Sequence, residues 1–510
     1  MIQKYPVGIQ DFQKLRSENY VYVDKTLFAW QMADWGGYYF LSRPRRFGKS
    51  LLISTLECLF QAGNDSSKKE LFEGLYIYDR WDWSRTNPVV RLSFSNIGHK
   101  DIGLREAINQ SLDATAESYG ITLKSTYNSG KFKELIESLS AKLGQVVVLI
   151  DEYDKPIIDY LGTDTAQAVE NREILKSFYS IIKDADPYLK MVFITGVSKF
   201  ARVSIFSDLN NLTDLTIDNR FGGICGITQE ELDIYFEEEL KILQKEKIKT
   251  WYNGYKWDLN TSVYNPFSLL NFFTKQQFQN YWFETGTPTF LVNLSKKQEL
   301  FNYEQTRVSA LQLGAYDLEN LNALPLMFQT GYLTIKEYDD ETGIYVLDYP
   351  NQEVRASFME VLVNNYTQSP SESGKVLADN LRNILKTCEL DKLQSFLNSI
   401  FKSIPHEIWQ RENEHFYHAI IHLTFRLLGI YVESQVQTSD GRIDAIVQME
   451  KYVYAFEFKL NGNAQEALQQ IKDKQYLQPY LHQGKRCFGI GVNFSKEDKK
   501  VEGIVWEEVG

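Results

Sequence analysis

Residues 41–50 read Leu-Ser-Arg-Pro-Arg-Arg-Phe-Gly-Lys-Ser, and their types and spacing suit the binding of phosphate groups. Gly48, Lys49 and Ser50 fit the end of the pattern G-x-x-x-x-G-K-[ST], with Arg43 in the place of the first glycine. An apolar run before this segment predicts a strand, and the run after it predicts a helix. The N–H groups that begin this helix would face an anion, the Lys49 ammonium would reach the outer phosphates, and the Ser50 hydroxyl would bind Mg²⁺.

Two further arginines of this segment add to its positive charge. Arg45 and Arg46, together with Arg43, would make charge-assisted contacts to phosphate or to a nearby carboxylate. A Gly-Lys-Ser tripeptide also arises by chance, so the alternative is an ordinary turn between a strand and a helix with a solvated basic cluster. The choice between them depends on whether a second nucleotide motif follows.

Such a motif stands about a hundred residues further on. Val146–Ile150 is a continuous apolar run, as expected of a buried parallel strand, and it ends in Asp151 and Glu152. Asp151 suits a direct or water-mediated Mg²⁺ contact, and Glu152 suits the polarisation of an attacking water. Together the two motifs predict an ATP- or GTP-binding domain. Ser198, after the next predicted strand, is a candidate sensor of the γ-phosphate, and a strand-end cap is the alternative.

A different constellation lies near the C-terminus. Residues 452–459 predict a strand in which Glu457 and Lys459 share one face while aromatic residues fill the other. Asp444 precedes Glu457 by thirteen residues and could reach the same place from the adjacent strand of a hairpin. Two carboxylates that hold Mg²⁺ and a lysine that neutralises phosphate suit phosphodiester hydrolysis. The alternative is a Glu–Lys surface pair. Gln470 on the following helix could contact phosphate, although helix packing is the default.

His415, His418 and His422 would share one face of a helix. This spacing suggests a zinc site. No cysteine or acidic residue at a matching spacing completes the ligand set, so interfacial histidines are the preferred interpretation. The four cysteines are far apart, so the sequence predicts no disulfide framework and no zinc ribbon.

The composition limits the class of protein. With 510 residues and 43% hydrophobic residues, the chain can form two to four domains. No apolar stretch approaches the ~20 residues of a membrane span, and the N-terminus lacks the apolar region of a signal peptide. We therefore expect a cytoplasmic protein without a membrane partner. The net charge of −12 argues against general coating of nucleic acid but leaves room for a local basic groove.

The order of predicted elements indicates an α/β fold. Strands are expected at 38–42, 88–95, 145–150, 189–195 and 212–217, with helices at 103–119, 131–143 and 170–184 between them. From Thr228 the periodicity is helical and begins with a capping box. An aromatic turn at 251–257 is expected to pack the resulting lid onto its neighbour. The predicted division is a P-loop ATPase core (1–225), a helical lid (226–278), a winged-helix-like module (279–366), a linker (367–375) and a nuclease-like α/β domain (376–510).

On these residues, the chain resembles the bacterial AAA-ATPase-like proteins that are fused to a C-terminal nuclease of the PD-(D/E)xK superfamily. The segments that carry the resemblance are Tyr22-Val23-Asp24-Lys25-Thr26, Arg43-Pro44-Arg45-Arg46-Phe47-Gly48-Lys49-Ser50, Leu149-Ile150-Asp151-Glu152-Tyr153-Asp154, Trp251-Tyr252-Asn253-Gly254-Tyr255, Phe328-Gln329-Thr330-Gly331-Tyr332-Leu333, Gly441-Arg442-Ile443-Asp444 and Glu457-Phe458-Lys459. Arg43 is then a family feature, and Ile443 stands where the superfamily's name has proline.

The resemblance covers nearly the whole chain and implies two activities. The first is ATP binding through Lys49 and Ser50, with Mg²⁺ held by Asp151 and hydrolysis assisted by Glu152. The second is a restriction-endonuclease-like core whose catalytic side chains are named above. The sequence thus predicts an ATPase that gates or positions a Mg²⁺-dependent nuclease, with DNA favoured over RNA as the substrate and a homo-oligomer through the ATPase domain as one option. Arg220 is a further candidate for stabilising negative charge on the γ-phosphate.

The main alternative is a nucleotide-dependent signalling or defence switch. Its C-terminal domain would bind nucleic acid or a protein partner without cleaving it. A motor or helicase is a weaker alternative, because no second RecA-like half is visible in the sequence.

Overall fold

The computed structural model describes residues 4–63, 65–198, 206, 209, 211–283, 289–298, 300, 303–314, 321–367, 374–402, 423–428, 436–437, 445–495 and 497–509. The chain forms two compact units. The first unit comprises Met1–Leu294 with Tyr303–Glu353, and the second comprises Ser295–Asn302 with Val354–Gly510. The finer five-part division stays a prediction. Within the part of the chain given above, no helix combines the length and apolar composition that a membrane crossing requires.

A five-stranded parallel sheet is the centre of the first unit. Its strands are β1 (Gly37–Ser42), β2 (Val89–Ser93), β3 (Val146–Asp151), β4 (Leu189–Gly196) and β5 (Leu212–Asp214), in the order β2-β3-β4-β1-β5. All five predicted strands are present. Every residue of β3 is buried, as expected of a parallel strand covered by helices on both faces. Because β4 lies between β1 and β3, the loops that follow these three strands meet at one edge of the sheet.

Ten helices of the described chain accompany this sheet. They are α1 (Phe12–Ser17), α2 (Thr26–Trp35), α3 (Lys49–Ala62), α4 (Ser66–Glu70), α5 (His99–Ile102), α6 (Leu104–Ser118), α7 (Asn128–Leu143), α8 (Lys155–Ile158), α9 (Thr165–Tyr179) and α10 (Ile181–Asp184). The helix expected at 170–184 begins earlier and is divided into α9 and α10. It begins at Thr165 because the Asp164 side chain accepts a hydrogen bond from the Gln167 N–H and caps the helix.

A helical region follows the sheet, as predicted. It contains β6 (Ile227–Thr228), α11 (Gln229–Tyr235), α12 (Glu237–Leu240), α13 (Lys245–Tyr252), β7 (Val263–Tyr264) and α14 (Pro266–Lys275). The predicted capping box is present, because Thr228 and Glu231 exchange side-chain and backbone hydrogen bonds at the start of α11. Buried aromatic and aliphatic side chains join these helices into one core.

A small antiparallel sheet comes next in the chain. It consists of β8 (Thr306–Ser309), β9 (Thr334–Asp339) and β10 (Ile344–Asp348) in the order β8-β10-β9. The neighbouring helices are α15 (Thr289–Lys297), α16 (Ala310–Gly314) and α17 (Ala323–Thr330). Helices next to a small antiparallel sheet are compatible with a winged-helix-like module, and that assignment stays a prediction.

The second unit contains a mixed five-stranded sheet. Its strands are β11 (Val436–Gln437), β12 (Ala445–Gln448), β13 (Tyr452–Leu460), β14 (Arg486–Ser495) and β15 (Lys500–Val509), paired in chain order. Its helices are α18 (Gln352–Thr367), which begins in the first unit, α19 (Gly374–Thr387), α20 (Leu393–Lys402) and α21 (Ala464–Asp473). Only β13 and β14 are parallel among these pairs, and α21 makes the crossover between them. A Cβ on Gly491 of β14 would lie 2.1 Å from the Ala464 carbonyl oxygen, so glycine allows α21 to approach the sheet.

Candidate nucleotide and nuclease sites

The segment between β1 and α3 forms a tight loop. Gly48 precedes the first residue of α3 with φ +98°, and Arg46 also has a left-handed backbone at φ +67°. A Cβ on Gly48 would meet no atom within 4 Å, so the backbone conformation and not lack of space favours glycine there. Arg45 and Arg46 are exposed, which leaves both side chains available to an incoming anion.

The Lys49 side chain lies inside this loop. Lys49 is only 5% exposed, and its ammonium donates hydrogen bonds to the carbonyls of Arg43 and Pro44 at 2.9 and 3.0 Å. Ser50 is partly buried in the first turn of α3, where the N–H groups of a helix lack partners within it. The loop therefore places one cation and a helix N-terminus together, which suits a phosphate group.

Arg43 has a structural role inside the protein, and its contact to phosphate or to a carboxylate stays a prediction. Its side chain is fully buried and donates to the carbonyls of Ser42 and Thr216 at 2.9 and 2.8 Å. The guanidinium also lies 4.2 Å from the centre of the Trp257 ring. Burial lowers the pKa of Arg43 to about 10, which still leaves it charged at neutral pH.

The two carboxylates that follow β3 differ in environment. Asp151 is 2% exposed and accepts a hydrogen bond of 2.7 Å from the Thr195 hydroxyl at the end of β4. Glu152 is partly exposed and has φ +53°, a left-handed conformation that is uncommon for this residue type. Such strain often accompanies function. The sequence analysis assigned Thr195 no role of its own, although its position at the end of the strand beside β3 was a usable signal.

The Ser198 hydroxyl is already engaged. It donates to the Asp154 carboxylate at 2.7 Å, and the Ser198 amide donates to the same carboxylate at 2.7 Å. Burial raises the pKa of Asp154, while the Ser198 hydrogen bonds oppose that shift. This geometry corresponds to the strand-end cap that the sequence left open, and the sensor role of Ser198 stays a prediction.

Arg220 forms a local ion pair on the surface. It is bonded to Asp218 at 2.5 Å and lies 5.6 Å from the Trp35 ring centre. More than half of its side chain is exposed. To stabilise charge on the γ-phosphate, Arg220 would have to break its ion pair with Asp218.

Asp159 follows α8 and lies among basic side chains. His99, Lys100 and Lys155 approach its carboxylate at 3.5, 3.2 and 3.0 Å. Burial raises the pKa of Asp159, but hydrogen bonds from His99 and Lys155 outweigh this effect and hold the pKa well below its usual range.

An apolar cavity opens beside Gly48. Its volume is about 90 Å³, which is well below the range of small-molecule pockets. Its walls include Pro6, Val21, Val23, Phe47, Ile224 and Leu270. The sequence analysis missed the cavity, because its walls come from segments more than 200 residues apart.

The Tyr-Val-Asp-Lys-Thr segment supports this cavity. The Lys25 ammonium is buried and contacts Glu231 at 2.5 Å and the Gly223 carbonyl at 2.7 Å. Burial lowers the pKa of Lys25, and Glu231 opposes that shift. The pair connects the start of α2 to the capping box of α11, which explains why these residue types occur there.

The second unit brings Glu457, Lys459 and Gln470 together. Glu457 is 5% exposed, and its carboxylate lies 3.7 Å from the Lys459 ammonium on the same face of β13. Gln470 of α21 bridges the two, because its amide N–H donates to Glu457 and its carbonyl accepts from Lys459 at 2.7 Å. Phe456 and Phe458 lie on the opposite face, as the alternation predicted. A carboxylate and a lysine fixed by a third side chain form a candidate active site.

Asp444 lies outside the described residues, as do His415, His418 and His422. The described strand β12 begins at Ala445, opposite Phe456 of β13. Across the described parts of the chain, no three His, Cys, Asp or Glu side chains group to hold a metal ion. Mg²⁺ commonly needs only one or two carboxylates together with substrate phosphates. Asp151 with the Ser50 hydroxyl in the first unit, and Glu457 in the second, are of the type that fits this ion.

The geometry defines a class of protein with two sites. A parallel sheet places a Gly-Lys-Ser loop and an Asp-Glu pair with a buried Asp151 at one edge, as in P-loop ATPases, and a mixed sheet carries a Glu-x-Lys centre, as in restriction-type nucleases. Comparisons with protein families agree. A model described as "Predicted AAA-ATPase" matches residues 6–206, and one described as "PD-(D/E)XK nuclease superfamily" matches residues 412–503.

A curated relative extends this similarity over the whole chain. It is an "Uncharacterized protein in vnfD 5'region" from Azotobacter chroococcum mcd 1, 43% identical over 522 residues, with 100% of this chain and 99% of the relative covered. The chain therefore belongs to the family of AAA-ATPase-like proteins that carry a PD-(D/E)XK nuclease superfamily domain. No solved structure matches it.

Proposed function

We propose that the chain is a nucleotide-gated nuclease, which binds and hydrolyses ATP with Mg²⁺ and cleaves DNA in a Mg²⁺-dependent reaction. The observation that carries the proposal is that each compact unit holds a buried carboxylate and a lysine among the residues of its candidate site. These are Asp151 with Lys49 in the first unit, and Glu457 with Lys459 in the second. Buried charges of this kind are costly unless they serve a ligand or a partner.

In the first unit, the phosphate loop binds the nucleotide. The N–H groups of the loop contact the phosphates, and the Lys49 ammonium exchanges its hydrogen bonds to the Arg43 and Pro44 carbonyls for bonds to phosphate. Exposed Arg45 and Arg46 add positive charge. We assign Mg²⁺ binding to Ser50 and Asp151, and the ion when bound would neutralise negative charge on the phosphates. Glu152 polarises the attacking water. The proposal includes assembly into a homo-oligomer through this unit and a location in the cytoplasm.

In the second unit, Asp444 and Glu457 are proposed to hold the metal ion. A water attacks the phosphodiester phosphorus, and the bond from phosphorus to the leaving oxygen breaks. Lys459 stabilises the negative charge that develops on the phosphate. Gln470 positions Glu457 and Lys459 relative to each other. DNA is preferred to RNA because of the restriction-endonuclease-like character of this unit.

Two substitutions test the two activities separately. Glu152→Gln is expected to keep ATP affinity while lowering the rate of phosphate release by roughly 100-fold or more. Lys459→Ala is expected to abolish Mg²⁺-dependent DNA cleavage, and Lys451→Ala, which removes an exposed lysine beside the start of the same strand, serves as the matched control. Equal cleavage by wild type and Lys459→Ala would contradict the assigned site. ATP binding without cleavage of any nucleic acid would favour the non-cleaving switch.

A further inference from the structure

Residues outside the parallel sheet pack against the phosphate loop. The Phe47 ring packs edge-on against Tyr255 and Trp257, with ring centres 4.8 and 5.2 Å away. The Phe47 carbonyl accepts a hydrogen bond of 3.0 Å from the Gly226 N–H. The aromatic turn that the sequence assigned to lid packing thus packs directly onto the loop.

A second set of contacts comes from later in the first unit. The Trp282 indole N–H donates to the Arg45 carbonyl at 3.1 Å. Gly331, with φ +89°, lies so close to Pro44 that an added Cβ would be 2.6 Å from the Pro44 Cγ. The segment 328–333, which the sequence analysis noted without assigning it a task, therefore packs against the loop, as does Trp282, which the sequence analysis did not name.

Together these contacts fix the backbone of the loop. The carbonyls of Arg43 and Pro44 accept from Lys49, and those of Arg45 and Phe47 accept from Trp282 and Gly226 respectively. Because a peptide group is planar and trans, a fixed carbonyl also fixes the N–H of the next residue, which points the opposite way. The Trp282 hydrogen bond hence orients the N–H of Arg46.

Trp282 also contacts the start of α18. Its backbone N–H donates to the Glu353 carboxylate at 2.8 Å, and the Ser268 hydroxyl donates to the same oxygen at 3.0 Å. Glu353 is fully buried and is the second residue of α18, whose remaining residues belong to the second unit. One side chain is therefore bonded both to the phosphate loop and to the first turn of the helix that leads out of the first unit.

We propose that Tyr255, Trp257 and Trp282 form an aromatic clamp, which together with Gly331 holds the phosphate loop in position. Trp282 also couples nucleotide binding at the loop to the start of α18. This inference rests on the proposed nucleotide binding. The clamp residues do not touch the phosphates. They hold the loop N–H groups in the binding geometry before the ligand arrives, and such preorganisation strengthens binding.

Gly331→Ala tests the clamp, because the new methyl group pushes on Pro44. Gly343→Ala is the matched control, since Gly343 also has positive φ (+69°) but an added Cβ would meet no atom within 4 Å. Both variants carry similar backbone strain, and only one disturbs the loop. Trp282→Phe, which keeps an aromatic ring but removes the N–H donor, provides a second test if Gly331→Ala does not fold.

The measurement is the affinity of Mg²⁺-ADP and of AMP for each variant by calorimetry. AMP lacks the β-phosphate, so the ratio of the two affinities reports on the phosphate loop, whereas general destabilisation lowers both. We expect roughly tenfold weaker ADP binding in Gly331→Ala and Trp282→Phe, unchanged AMP binding, and no change in Gly343→Ala. ADP should also slow hydrogen exchange of α18's first turn in wild type and not in Trp282→Phe.

The outcomes separate this inference from the proposed function. ADP binding by wild type with equal affinities in all variants would overturn the clamp alone. Exchange in α18 that responds to ADP equally in wild type and Trp282→Phe would overturn the link to that helix. No nucleotide binding by wild type would overturn the proposed function and the inference with it.

Discussion

Replacing Arg43 by glycine, which restores the first glycine of the phosphate-loop pattern, is expected to destabilise the protein. A comparison of motifs alone would predict a neutral or favourable change. The structure predicts the opposite, because Arg43 is fully buried and its guanidinium is the donor to backbone carbonyls of Ser42 and Thr216. Glycine would leave these acceptors and the face of Trp257 without their partner.

The size of the effect follows from the contacts. Each of the two hydrogen bonds from a charged donor contributes about 1.5 to 3 kcal/mol, and a desolvated cation over an aromatic ring contributes about 2 kcal/mol. Burial opposes these terms, because it lowers the pKa of Arg43 from 12.5 to about 10, a cost of about 3 kcal/mol. The net loss on Arg43→Gly is therefore roughly 2 to 5 kcal/mol in the free energy of unfolding.

Urea unfolding followed by tryptophan fluorescence measures this loss. Arg46→Gly is the matched control in the same loop, because Arg46 is exposed and its φ of +67° suits glycine. That control is expected to stay within about 1 kcal/mol of wild type. A loss below about 1 kcal/mol in Arg43→Gly, or tighter ATP binding by this variant, would refute the structural role assigned to Arg43.

Three further predictions concern other parts of the chain. Lys25→Met should lower the free energy of unfolding by about 2 to 3 kcal/mol in urea titrations, because it leaves the partly buried Glu231 without its cation, and Lys25→Met/Glu231→Gln should recover part of the loss. Asp159 has a folded-state pKa below the unfolded value near 3.9, so the stability difference between wild type and Asp159→Asn should be constant above about pH 5 and shrink as the pH falls below 4. Gln470→Ala should slow DNA cleavage by roughly 10- to 100-fold without a change in thermal unfolding, and an unchanged cleavage rate would contradict the positioning role.

The elements that carry the two sites could be predicted because their signals are local. The apolar run of β3 and the alternation along β13 each depend on neighbouring residues, and they placed Asp151 at a strand end and Glu457 beside Lys459 on one face. The capping box at Thr228 is likewise a four-residue pattern. Such short-range patterns reflect the geometry of single strands and helices.

The functions of Arg43 and of the aromatic segments could not be predicted in the same way. The partners of Arg43 lie far away in sequence, at Thr216 and Trp257, and the loop contacts of Trp282 and Gly331 join segments more than 200 residues apart. From sequence alone, a basic residue in a phosphate loop is interpreted as a phosphate ligand, because its burial is not known. Tertiary packing decides between these roles, and single-chain periodicity carries no information about it.

The central claim is that nucleotide binding in the first unit controls nuclease activity. Its most direct test is the rate of Mg²⁺-dependent cleavage of a DNA and RNA panel with and without ATP, for wild type and Lys49→Ala. The account predicts DNA cleavage whose rate changes with ATP in wild type and does not change in Lys49→Ala. An ATP response of equal size in both proteins, or no cleavage under any condition while ATP still binds, would contradict it.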